Sequence, residues 1–412
     1  MMGESDHAPL IALACGGTGG HVFPGIAVGH ALRSRGAEVM LLTSPKEVDR
    51  AAVRSCPGLK VTALEAAGLD WKRPLGFLAG LRRAWRQTRV VFRERAPGAV
   101  MTLGGFTGAA PLMLGRRCGA WTFIHESNAV PGRANRWLAP WTDAVFVGFG
   151  EAAGRLRCGR VRVTGTPVRP EIQPLNAGEC RLALGLEPDR PTLLVTGGSQ
   201  GARAINELVV SALEVFAREL PTLQFLHLTG FHHSEGVAAA YRGAGARARV
   251  TPFMEDMARA LGAADVAVGR AGASSIVEFA AMGLPSILVP YPFATDNHQL
   301  FNARAVAGIG GALLLEQHSA SADGLVANVK RLLTDHMLRQ RMRAALASWH
   351  RPGAAEEIAS VILESLATGE VPIPARSRRG GLERVPRRGL PGAGDVSRRS
   401  AAGMGASGIG GV

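Results

Sequence analysis

GRAGASSIVEFAAMGLPSILVPYPFATDNHQLFNAR, residues 269–304, carries the pattern that decides the fold class. An apolar run over 265–268 predicts a strand feeding a turn of small residues, Arg270-Ala271-Gly272-Ala273-Ser274-Ser275. The chain then reads as helical to Met282, stops at Gly283 and re-enters a strand over 286–290. Such a unit leaves backbone N–H groups free at a helix N-terminus, where the orphan donors and the helix dipole favour an anion such as a nucleotide diphosphate. Glu278, one turn into the helix, stands where a carboxylate can accept hydrogen bonds from both hydroxyls of a ribose, and Asp296 and Gln299 follow on the loop after the next strand. All three fall outside the carboxyl ends of a sheet, where open α/β sheets bind ligands. The same letters also fit a capping box, Ser275-Ile276-Val277-Glu278, in which Glu278 only satisfies backbone N–H groups. The stretch alone leaves both readings open.

The pattern recurs along the chain. Residues 10–14 form a buried-strand run ending in Gly16-Gly17-Thr18-Gly19-Gly20-His21, with Pro24 expected in the first turn of a helix that Gly36 ends. This turn lacks both the Gly-Lys-Ser/Thr of a Walker loop and the G-x-G-x-x-G of a dinucleotide fold, so it reads as a bare backbone cradle for phosphate. Strands are expected at 39–43, 99–103, 121–125 and 143–147, with a second glycine turn over 104–108 and a polar cluster, His125-Glu126-Ser127-Asn128, at a strand end. Residues 163–170 read as a link. Beyond it the pattern repeats: strand 192–196, turn 197–202, one helix over 204–220 and strand 224–229. Two doubly wound βα domains with a cleft between them follow. After residue 325 the chain reads as mostly helical, closing with an amphipathic helix over 354–367.

At 412 residues with 47% hydrophobic content, the chain is long enough for two sizeable cores. The net charge is +14, and the stretch after Val371 holds eight arginines against Glu383 and Asp395 with no apolar period, so 371–412 is read as a disordered basic tail. Five dispersed cysteines without a C-x-x-C pair suggest a reducing cytoplasm and neither a disulfide framework nor zinc. The first apolar run is too short for a signal-peptide core, and no run approaches the roughly 18 apolar residues of a spanning helix. Residues 68–95 interleave Trp71, Leu75, Phe77, Leu78, Leu81 and Trp85 with Lys72, Arg73, Arg82, Arg83, Arg86 and Arg89. That composition suits an interfacial helix on an anionic bilayer and equally an ordinary amphipathic helix with solvated arginines.

Six motifs in order, GGTGGHVFPG (16–25), HESNAVPG (125–132), TGTPVR (164–169), GGSQGAR (197–203), GRAGASSIVE (269–278) and DNHQ (296–299), resemble glycosyltransferase family 28 over about residues 10–367. Among its members the likeness is to the transferases that make lipid II. The resemblance implies an α/β fold of two doubly wound Rossmann-like domains facing across a cleft (GT-B). Residues 1–166 would form the acceptor and membrane side, joined by the returning helix 354–367, and 167–352 the UDP-GlcNAc-binding side. It also implies inverting transfer of N-acetylglucosamine from UDP-GlcNAc to the C4 hydroxyl of lipid I in peptidoglycan synthesis. No cofactor is expected. The implied partners are UDP-GlcNAc, lipid I, the cytoplasmic face of the membrane through residues 71–89, and other cell-wall synthesis and division proteins, with no specific nucleic acid.

Carried over position by position, the resemblance sets the donor against Thr18, Gly19, Gly20, Asn128, Arg169, Ser199, Met254, Ala273, Ser274, Ser275, Ile276, Val277, Glu278 and Gln299, and the acceptor diphosphate against Gly104 and Gly105. Glu278 would hold the ribose, Gln299 the donor sugar, and Arg169 with the Ser199 turn the diphosphate. Inversion needs a base on the acceptor hydroxyl and charge stabilisation on departing UDP. The sequence contains no Asp-x-Asp, so no metal-bridged diphosphate is indicated, and helix N-termini plus Arg169 can supply that stabilisation. His21 is the candidate base; the competing reading has it hydrogen-bond the acceptor diphosphate or the loop. This chain has Ser127 and Thr166 where the family commonly has Gln and Asn, and Gly108 and Ala110 where it usually has Ser and Pro. How the second glycine turn holds the acceptor diphosphate is therefore open. A UDP-sugar enzyme of another kind, either a 2-epimerase or a transferase to a different lipid, is the same-fold alternative, and nucleic-acid binding through the basic tail is the alternative of a different class.

Overall fold

The structure, a computed structural model, describes residues 8–16, 19–45, 59–65, 74–198 and 201–375. The first half builds a seven-stranded sheet from β1 (Leu10–Ala14), β2 (Glu38–Thr43), β3 (Lys60–Ala63), β4 (Ala99–Thr102), β5 (Trp121–Glu126), β6 (Ala144–Val147) and β7 (Val161–Val163), in the order β3-β2-β1-β4-β5-β6-β7. The second half builds six strands, β8 (Thr192–Thr196), β9 (Gln224–Leu228), β10 (Ala248–Thr251), β11 (Val266–Gly269), β12 (Ser286–Leu288) and β13 (Leu313–Leu314), in the order β10-β9-β8-β11-β12-β13. Every pairing is parallel. At the carboxyl ends, Ala14 lies beside Leu42 and Thr102 in the first sheet, and Thr196 beside Leu228 and Gly269 in the second.

Sheets covered by helices on both faces need strands that are apolar throughout. LIALA in β1 is buried at all five positions. Ile11, Leu13 and Cys15 face a core shared with Val22, Ile26 and Leu32 of the helix Gly19–Arg33. Leu10, Ala12 and Ala14 face the opposite core, with Phe92 of the helix Pro74–Glu94 and Leu112 of the helix Ala109–Arg117. The closing helix, Ala354–Thr368, sits on the first sheet although it ends the second half: Ile358, Val361 and Ile362 are buried beside Ile11, Met101 and Phe123. Burying each such side chain contributes about 1.5–3 kcal/mol, enough to hold the helix across the halves.

Several elements differ from the sequence reading. The helix after the first glycine turn starts at Gly19, so Pro24 lies inside it and not in its first turn. The expected single helix over 204–220 is two, Arg203–Ser211 and Leu213–Glu219, broken at Ala212. The short strands β3, mostly exposed, and β7, half-buried, were not anticipated. The described chain also runs past the expected tail boundary at Val371. Val371 and Ile373 are apolar and are buried in the first core, and Arg160 Nε donates to the Ile373 carbonyl at 3.1 Å. Residues 376–412, the remainder of the expected tail, lie outside the described residues.

In the helix Pro74–Glu94, Leu81 and Trp85 pack on the sheet while Arg82, Arg83, Arg86 and Arg89 are exposed. Leu78 and Val90 stand 49% and 58% exposed. Trp71, Lys72 and Arg73 lie outside the described residues. Among the described residues no helix is long and apolar enough to cross a membrane.

Candidate active site

The carboxyl ends of β1, β4 and β5 face those of β8 and β11 across a cavity of about 1030 Å³. The first half lines it with Gly20, His21, Phe23, Gly104, Gly105, Ser127 and Asn128, the second with Met254, Ala273, Ser274, Ser275, Glu278 and Gln299, and Arg169 reaches in from the link.

Arg169 and Glu278 form the charged centre. The Arg169 side chain is 7% exposed and that of Glu278 14%, and Arg169 Nη2 lies 3.3 Å from Glu278 Oε1. Burial pushes the Glu278 carboxyl above its usual range, while Arg169 pulls it back and Glu171 opposes that pull. The guanidinium also lies over the Phe23 ring, 4.3 Å from its centroid, and its buried Nε–H has no hydrogen-bond partner. An orphaned buried donor on a guanidinium that lines the cavity fits an anionic ligand. Glu278 is no cap: its helix, Ala273–Ala281, is capped by Gly272 without a side-chain bond, which removes the capping-box reading.

His21 projects from the helix Gly19–Arg33 and meets the second glycine turn. A Cβ built on Gly104 would stand 2.6 Å from His21 Cε1, so only a residue without a side chain lets the backbone lie this close to the imidazole. Gly104 and Gly105 both have positive φ, 123° and 72°. Deeper in, His125 Nε2 is 3.0 Å from the Gly165 carbonyl, which fixes the proton on that nitrogen, so Nδ1 accepts from the Ser127 hydroxyl at 3.2 Å. Burial lowers the pKa of His125 from 6.5 to about 4, against the Gly165 bond and with a smaller push from His21, so the ring is neutral at pH 7.

Pro24 has no N–H to give the carbonyl four residues earlier. That carbonyl, Gly20, accepts instead from Ser274 Oγ of the second half at 3.2 Å. Asn302, fully buried, makes a second link: its Nδ2 donates to Asn128 Oδ1 and to the Ala271 carbonyl, and its Oδ1 accepts from the Ala129 N–H.

Of the residues singled out in the sequence, Gly20, His21, Gly104, Gly105, Asn128, Arg169, Met254, Ala273, Ser274, Ser275, Glu278 and Gln299 share this one cavity. Ile276 and Val277, predicted for the same site, do not line the cavity: they are buried at 1% and 3% exposure on the other side of their helix. Gly19 begins its helix, while Thr18 and Ser199 lie outside the described residues. The sequence reading passed over Arg270. It is 8% exposed and lines the cavity, its Nη1 donating to the carbonyls of Val289 and Pro290, and it was hidden among the small residues of its turn. It also passed over Arg133, which reaches the 295–299 loop.

The glycosyltransferase family 28 N-terminal domain matches residues 11–147, and the family's C-terminal domain matches residues 192–358. The chain belongs to glycosyltransferase family 28. This family 28 chain is 38% identical to the UDP-N-acetylglucosamine--N-acetylmuramyl-(pentapeptide) pyrophosphoryl-undecaprenol N-acetylglucosamine transferase of Xanthomonas euvesicatoria, over 91% of this chain and 85% of that one. It is 37% identical to the protein of the same name from Desulforudis audaxviator, over 87% and 98%. The crystal structure of Acinetobacter baumannii MurG superposes with a TM-score of 0.67 at 27% identity, covering 87% of this chain and all of that one. A UDP-N-acetylglucosamine 2-epimerase from Listeria monocytogenes reaches 0.64 at 12% identity, over 89% and 99%. At that identity the likeness shows the shared two-domain GT-B fold alone.

Proposed function

We propose that this family 28 glycosyltransferase moves N-acetylglucosamine from UDP-GlcNAc to the C4 hydroxyl of the muramoyl sugar of lipid I, with inversion, to give lipid II. The observation that carries this reading is the buried Arg169–Glu278 pair, which lines one cavity with His21 and with the N-terminus of the helix Ala273–Ala281, in a chain whose relatives are named for this transfer. Glu278 accepts from the ribose hydroxyls, the N-terminal amides at Ala273 and Ser274 meet the diphosphate, and Arg169 adds a fixed positive charge where UDP departs. Gln299 contacts the donor sugar. His21, against the Gly104-Gly105 turn, takes the proton of the attacking hydroxyl as the new glycosidic bond forms and the bond to UDP breaks.

The protein works as a peripheral enzyme on the cytoplasmic face of the membrane. The exposed Leu78 and Val90 beside Arg82, Arg86 and Arg89 support docking through the helix Pro74–Glu94. The deciding experiment follows labelled N-acetylglucosamine into a short-chain lipid I analogue with EDTA present, for wild type, His21→Ala and Glu278→Ala. The expected outcome is transfer by wild type, a raised donor KM for Glu278→Ala and a collapsed kcat for His21→Ala. Release of free sugar without transfer would instead favour a 2-epimerase. Pelleting with anionic vesicles, weakened by Arg82→Glu with Arg86→Glu, tests the docking.

A further inference from the structure

The loop that presents Gln299 is held from the opposite half. Asp296 accepts from Arg133 Nη2 at 3.2 Å on one carboxylate oxygen and from Arg136 Nη2 at 2.5 Å on the other. Both arginines sit on the helix Arg133–Leu138, three positions apart and therefore on one face. That helix is itself fixed to β5, because the buried Glu126 carboxylate accepts from the N–H of Gly132 and from Asn135 Nδ2 at 2.8 Å each. On the other side, Asp296 and Asn297 both take left-handed backbone, φ 53° and 52°. Such conformations cost of order 1 kcal/mol for each residue and persist only where surrounding contacts impose them. Three residues on from Asp296 comes Gln299, whose Oε1 accepts from the Tyr291 N–H at 2.9 Å.

We propose that Asp296, clasped by Arg133 and Arg136, is a positioning residue that sets Gln299 for the sugar of the donor. The inference rests on the reading above that Gln299 contacts that sugar. The relay runs from Glu126 through the 133–138 helix to Asp296, then through the left-handed pair to the start of the helix His298–Gly308. The two guanidiniums fix both carboxylate oxygens, so the loop cannot swing without giving up two charge-assisted bonds. Either Arg→Ala alone leaves one bond, whereas Asp296→Asn removes the charge from both.

The test separates sugar from nucleotide. For Asp296→Asn the KM for UDP-GlcNAc should rise about tenfold, while inhibition by UDP, which has no sugar, should shift less than about twofold. In a Gln299→Ala background the same substitution should add less than about twofold, since its route to the sugar is gone. Arg133→Ala with Arg136→Ala together should reproduce the Asp296→Asn rise. Equal losses of UDP and UDP-GlcNAc binding, full additivity with Gln299→Ala, or no change in KM would each overturn the proposal. Failure of the underlying reading shows differently, as a wild-type enzyme that transfers no sugar or a Gln299→Ala enzyme with an unaltered donor KM.

Discussion

Ser274 Oγ donates across the cleft to the Gly20 carbonyl, 3.2 Å away, and that carbonyl is available because Pro24 cannot bond to it. Helix continuity and contact between the halves therefore compete for one acceptor. Ser274→Ala should cost about 1 kcal/mol in wild type and less in a Pro24→Ala background, where a restored N–H satisfies Gly20. Urea midpoints of the two single variants and the double variant should show a coupling of about 0.5 kcal/mol or more, and strict additivity would contradict the competition.

Gly104 touches the His21 ring and holds φ at 123°, a backbone region that only glycine occupies readily. Gly104→Ala should displace the imidazole and lower kcat by about a hundredfold or more, with a stability loss of about 1–3 kcal/mol from overpacking and strain. Transfer kinetics beside a melting curve separate the two effects, and a folded variant with near-normal kcat would show that the His21–Gly104 contact does not matter for turnover.

Arg169→Met keeps the length that covers Phe23 and removes the charge beside Glu278. Burial already raises the Glu278 carboxyl, and losing Arg169 raises it further. A carboxyl raised on folding favours the native state at low pH and loses that benefit as pH rises through its folded value. The variant's deficit should thus be larger at pH 8 than at pH 5, reaching about 2–4 kcal/mol once the carboxylate is ionised and unpaired. A pH-independent deficit would mean that packing and not charge accounts for the loss.

Two buried histidines should make the protein acid-sensitive well above the carboxylate range. Burial lowers His125 to about 4 and His227 to about 3, from 6.5. Burial keeps His227 neutral, and its two ring nitrogens bond the Tyr241 hydroxyl and Asn206 Oδ1, each at 3.1 Å. Because the unfolded chain takes up these protons first, the stability they contribute is present above pH 6.5 and drains as pH falls towards 4. The slope is about 1.4 kcal/mol per pH unit for each ring. His227→Gln should be less stable at pH 7 yet show a shallower decline between pH 6 and 4.5, read from urea midpoints.

What could be read from the sequence was what is local. The strand-turn-helix units at Gly16, Gly104, Gly197 and Gly272 each announce themselves within a dozen residues, through an apolar run and the small residues that must follow it. That was enough to set Glu278 and Gln299 outside the carboxyl ends of one sheet and a phosphate cradle at Gly16–Gly20; Arg169 and the role of His21 were implied only by the resemblance to family 28. What escaped depends on distant neighbours. Pro24 looked like a helix start because its missing N–H is normally harmless there; its place inside the helix makes sense only with Ser274 opposite. The break at Ala212 carries no glycine or proline to mark it. Lys60–Ala63 is a partly exposed edge strand whose partner, not its composition, makes it extended. The pairing of Arg133 and Arg136 with Asp296 joins residues some 160 positions apart, a separation at which a single sequence carries no register.

The seating of Ile358, Val361 and Ile362 on the first sheet sets an order of events during synthesis. The strands of that sheet leave the ribosome by Val163, and the helix Gly19–Arg33 covers part of one face, yet the rest of that face lacks its cover until the helix beginning at Ala354 emerges. At 5–20 residues per second, those roughly 190 residues take about ten to forty seconds, during which the second half can finish folding as a unit. The half made first is thus completed last. A nascent chain halted before residue 354 would present the Ile11, Met101 and Phe123 face to whatever chaperone or aggregate meets it.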